Sequence, residues 1–166
     1  MFQVTIAAGF QSVWYWLLTV VLWGQVCHRI LGVPYDVIRA AGARPQAAAR
    51  MEQLAQVAIE RVAGLHNRLG VPIAAAAGFG LAVLFAVGFG YGVEFAQAAF
   101  MLAFPLAGVR LGTLRLALSL RRHDVRGAAL RKALLRRRLW NQIIASVALL
   151  VTVLIALANH PRVLVP

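Results

Sequence analysis

The chain has one cysteine, Cys27, in 166 residues. That excludes an internal disulfide framework and any paired-cysteine metal site. Acidic residues are nearly as scarce, five Asp and Glu against seventeen Lys and Arg, and the net charge is +12. Charged residues make up only 13% of the chain and apolar ones 61%. An ordinary soluble domain is nearer a quarter charged, so a water-facing surface cannot be built from this composition. Disorder is excluded by the same apolar excess. Catalytic patterns are missing too. No HExxH or CxxCH occurs, and Ser12, Ser119 and Ser146 have no triad pattern around them. The glycine-rich stretch Gly88, Gly90 and Gly92 carries no lysine that would make it a phosphate loop. We therefore expect no catalytic residue, cofactor or metal.

What the sequence has in quantity is long apolar runs, with a mean hydropathy of +0.77. About 20 apolar residues cross a hydrocarbon core. Residues 13–33, 71–90, 94–113 and 140–159 each qualify. The run 69–109 has Glu94 as its only charge. As one helix it would reach about 60 Å, roughly twice the core, so the chain is expected to fold back at Gly88, Gly90 and Gly92. Trp14, Trp16 and Trp140 mark interfaces. Arg39, Arg44, Arg50, Arg61 and Arg68 lie between spans one and two, and ten further cations lie between residues 110 and 138. Positive loops stay in the cytoplasm, which makes 34–69 and 114–139 cytoplasmic. Four spans then put both termini outside, in the periplasm if the membrane is the bacterial inner membrane. The first twelve residues are uncharged, unlike a signal peptide with its positive start, so span one reads as an uncleaved anchor.

Small residues recur at fourth positions: Ala74, Gly78, Ala82, Ala86 and Gly90 in span two, Ala99, Ala103 and Ala107 in span three, Ala148, Thr152 and Ala156 in span four. Such stripes let helices approach closely in lipid. The expected core is therefore spans two, three and four, with span one outside it. The first loop holds an amphipathic helix of about 24 residues by its period. Pro45 suits its first position, its apolar face runs through Met51, Leu54, Ala55, Ala58, Val62, Leu65 and Leu69, and Gly70 and Pro72 should break it before span two. In the second loop, span three should continue past Arg115. A turn is expected near residues 123–127, with Asp124 capping the helix that follows.

Two groups of residues are candidates for function. Arg121, Arg122, Arg126, Arg131, Lys132, Arg136, Arg137 and Arg138 form a basic docking or lipid-binding face. Residues 110–139 contain no aromatic side chain, hence no platform for stacking bases. Anionic lipid or an acidic protein is the expected partner, not specific nucleic acid. The second group is Glu94 with Gln97 and Tyr91. An acid in the first turn of a helix suits its dipole. A carboxylate near the membrane can also bind protons or cations. His28 and His66 are the pair that facing helices could offer a haem, but each adjoins Arg or Asn and reads as interfacial. The chain thus reads as an all-α polytopic membrane protein of one domain, four transmembrane helices plus a cytoplasmic amphipathic helix. Its expected role is a non-enzymatic accessory subunit or anchor. The alternative is a small oligomeric transporter or channel working through Glu94.

Residues 13–38, which include Cys27 and Asp36, and residues 90–106 resemble a family of small alphaproteobacterial membrane proteins named as a component of the SufBCD complex. Together the two segments cover about a quarter of the chain. The resemblance implies a link to cytoplasmic iron–sulfur assembly, with the basic loops as the contact surface. It carries over no catalytic residue.

Overall fold

The computed structural model describes Phe10 and residues 12–159. Helix α1 is Val13–His28, followed by a two-stranded hairpin, β1 Arg29–Ile30 and β2 Val33–Pro34. Then come α2, Tyr35–Ala40, and a long α3, Pro45–Phe85. One π-helical turn, Ala86–Gly90, leads into α4, Glu94–Arg122, and then α5, Gly127–Asn159. Apart from the hairpin, the regular structure among the described residues is helical. Three of its helical stretches, Pro45–Gly90, Glu94–Arg122 and Gly127–Asn159, are long and apolar enough to cross a membrane.

Two boundaries and one cap differ from the sequence reading. Span one was expected to run to residue 33, but α1 stops at His28. Leu31 and Gly32 both take positive φ, 50° and 74°, the requirement of a tight two-residue hairpin turn. The strain at Leu31 is sustained because Ile30, Leu31 and Val33 are buried. The expected break at Gly70 and Pro72 is absent, and α3 runs through it. Pro72 withholds only the N–H that would meet the Arg68 carbonyl. A full break among apolar residues would strand several backbone groups where no water can satisfy them. The turn after α4 falls where expected, but Asp124 does not cap α5.

Packing also departs from expectation. Ala74, Gly78, Ala82, Ala86 and Gly90 all lie exposed, and a Cβ built at Gly78 or Gly90 would meet nothing within 4 Å. Between residues 64 and 79 only Gly70 is even partly covered. Helix α3 instead meets α4 near the fold-back, where Gly88 is buried and a Cβ would come within 2.8 Å of the Gln97 nitrogen. The stripes on α4 and α5 are at least half-buried at every position. Thr152 lies against Tyr15 of α1. Trp23 of α1 packs with Val109 of α4 and Ala145 of α5 in one buried cluster. The helix expected to lie outside the bundle, α1, is therefore packed into it, with its Trp23 against Val109 of α4 and Ala145 of α5.

The larger core lies at the basic end. Ile30, Leu31, Val33 and Ile38 of the hairpin and α2 meet Met51, Ala55 and Ile59 of α3, Ala117 and Leu120 of α4, and Leu130 and Leu134 of α5. This core uses the apolar face predicted for the first loop. The inward part of that face, Met51, Ala55, Ala58 and Val62, packs against four other elements, while Leu54, Leu65 and Leu69 are exposed.

Candidate functional site

The eight cations of the expected docking face separate into two sets. Arg131 donates from Nε to the Ile38 carbonyl at 3.1 Å, near the end of α2. Gly42 makes room for it, since a Cβ there would sit 2.6 Å from the guanidinium. Arg137 donates to the Val109 carbonyl at 2.7 Å and occupies the space left by Gly112. Arg138 lies 3.4 Å from the centre of the Tyr35 ring, a cation–π contact. Arg126 pairs with Asp124 at 2.9 Å. These four are engaged inside the fold or within the turn before α5. Arg121, Arg122, Lys132 and Arg136 remain exposed. Lys132 and Arg136 are four apart and share a face of α5.

Sequence reasoning missed Glu52. Its Oε1 accepts the backbone N–H of Gly127 at 2.7 Å, so a carboxylate from α3 sits at the positive start of α5. Asp124, the expected cap, is turned to Arg126 instead. The only signal in the sequence was an acid beside Met51 and Ala55, on the edge of the apolar face.

At the opposite end, Glu94 opens α4 as expected. It accepts the Phe10 N–H at 3.0 Å, and Trp16 Nε1 donates to the Phe10 carbonyl at 2.8 Å. Gln97 donates to the Gly88 carbonyl at 2.9 Å and accepts from Asn159 Nδ2 at 2.7 Å. Glu94 and Gln97 are thus placed together, one turn apart, and tie the start of α4 to the π turn and to the ends of α1 and α5. Tyr91 is not part of the cluster, being 83% exposed. The Gly88 carbonyl is open to a side-chain partner because the π turn and the fold-back end its regular helical pairing.

His28 faces Asp36 at 3.9 Å, both exposed. His66 packs over Gly70 on its own helix. His160 lies outside the described residues. Among the described residues no three His, Cys, Asp or Glu side chains group as metal ligands would. No protein-family model, curated protein or solved structure matches the chain.

Proposed function

We propose that the chain is a non-enzymatic accessory subunit or anchor of the bacterial inner membrane, with its basic end in the cytoplasm as a docking head. On this reading α1 is a fourth span and both termini are periplasmic. Its 16 residues reach about 24 Å, short of a core of about 30 Å. A short span is accommodated by local thinning and flanking anchors. The outward apolar face of α1, with Val13, Trp14, Leu17, Leu18, Val20 and Val21 exposed, supports this reading, since such a patch in water would aggregate.

The observation that carries the docking role is the division of the arginines. The basic end is a packed helical head that engages Arg131, Arg137 and Arg138 in its own cohesion. Arg121, Arg122, Lys132 and Arg136 are left outward, in no ion pair among the described residues. The matching partner is an acidic cytoplasmic protein. The resemblance to SufBCD-associated membrane proteins suggests the iron–sulfur assembly machinery as the place to look for it.

The test is affinity capture of the full chain from its native membrane in mild detergent. Replacing those four cations with Gln should abolish co-purification while the helix content stays unchanged. Raising salt should do the same to the native chain, because the screening length falls from about 10 Å at 0.1 M to about 3 Å at 1 M. A chain that purifies alone under several detergents overturns the reading.

A further inference from the structure

A cleft of about 480 Å³ opens where α1, the hairpin, α3, α4 and α5 meet, within the range of small-ligand sites, about 300–1,000 Å³. Arg29, Arg61 and Arg110 line it, from three separate elements, together with Gln25, Thr113 and Asn141. No acidic residue is in the lining. None of the three arginines belongs to the docking face already described.

Asn141 adds an independent observation. It is 2% exposed, and its Oδ1 is buried without a hydrogen-bond partner. Its amide nitrogen reaches the Val26 carbonyl only at 3.5 Å, the far limit for such a bond. An unmatched buried carbonyl is costly, and because Asn141 lines the cleft, a turn of its amide would bring this acceptor to a donor placed there. Three guanidiniums beside an unmet acceptor suit an anion that also carries a hydroxyl.

The position of the cleft selects the source. Asn141 follows Trp140, an interface residue. Gln25 and Arg29 fall at the end of α1, and Arg110 closes the apolar part of α4. All three elements thus present the cleft at the level where headgroups lie. We infer that this cleft binds the phosphodiester and hydroxyls of one anionic phospholipid headgroup, of the phosphatidylglycerol type. The guanidiniums bond the phosphate oxygens, and the Asn141 amide, turned toward the cleft, accepts from the headgroup hydroxyl. Exposed Leu54 and Val57 on the α3 wall give the lipid's apolar part a surface to lie on. The inference rests on the membrane reading above but not on the protein partner.

The experiment is native mass spectrometry of the full chain in detergent, with phosphatidylglycerol, phosphatidylcholine or soluble glycerol phosphate added at equal concentration. Retention of phosphatidylglycerol well above the other two is expected. The triple change Arg29→Gln, Arg61→Gln and Arg110→Gln should weaken it, by about tenfold for each guanidinium–phosphate bond removed. The control triple Arg121→Gln, Arg122→Gln and Arg136→Gln should leave retention unchanged. Exposed Arg61→Gln alone supplies the same comparison if the triple does not fold. An equal drop in the control would assign binding to diffuse surface charge and overturn the site. Equal retention of phosphatidylcholine would overturn it too. Binding of glycerol phosphate without the lipid would make the ligand a soluble phosphate ester and overturn the lipid assignment. The control triple keeping its lipid but losing its protein partner, or the cleft triple doing the reverse, separates this inference from the docking reading.

Discussion

Arginine has two uses in this protein, separated by what the side chain can reach. Arg131, Arg137 and Arg138 are long enough to bring a guanidinium back to a carbonyl or a ring, and glycines at 42 and 112 leave space for two of them. Their charge is thereby tied to holding α5 against α2 and α4. Lysine would serve poorly there, having neither the planar fork nor the stacking face. The acids divide the same way. Glu52 bonds the first N–H of α5 from another helix, whereas Asp124 and Arg126 are both exposed. Glu52→Ala should therefore lower stability by about 1–2 kcal/mol, the worth of a helix cap. Asp124→Asn keeps a residue that tolerates positive φ and removes an exposed ion pair worth about 0–1 kcal/mol. Thermal unfolding of both variants in one detergent checks this; equal destabilisation would mean the cap is not made by Glu52.

At the level of helices, contact is made where backbone can approach, not wherever small residues recur. Gly88 sits against the backbone of Ala96 and Gln97. A methyl group there has nowhere to go, because the obstacle is main chain. Gly88→Ala should cost about 1–3 kcal/mol, the scale of overpacking, and broaden the elution of the purified chain. Gly78→Leu should leave melting temperature unchanged or raise it, since the space beside Gly78 is open and leucine is the better helix former. Severe destabilisation by Gly78→Leu with none by Gly88→Ala would reverse this assignment. The stripe pattern was legible in the sequence. Which stripe finds a neighbour was not, since the period of a helix shows which residues share a face and says nothing of what faces them.

Across the whole molecule, two kinds of cohesion divide the chain. The basic end holds the larger core, with Ile38, Met51 and Leu134 almost fully buried, and water exclusion suffices to hold it together. The apolar helices beyond it touch sparingly and leave Val71 and Phe79 outward. That surface is stable only in lipid, where helices associate through close packing instead. Helix α3 joins the two regions as one rod of 41 residues, about 60 Å long. The proposed fourth span, α1, would put the N-terminus and the turn after α4 on opposite sides of the membrane. Reporter fusions at the N-terminus and in the turn at residues 123–126 should give opposite signals. Matching signals would mean that α1 does not cross.

Composition alone determined that this chain is helical and built for lipid. Long runs without charge leave a backbone only helical ways to satisfy itself there. The position of the fold-back before Glu94 and the start of α3 at Pro45 were likewise legible, because proline and glycine act through local geometry. The end of α1 at His28 was not, since Ile30, Leu31 and Val33 are as apolar as any span. They leave the helix because a core formed with α2 and three distant helices receives them. Nor could the sequence say which arginines stay free. Charge counts every guanidinium alike. Only the tertiary structure brings the carbonyls of Ile38 and Val109 and the Tyr35 ring within reach of three of them.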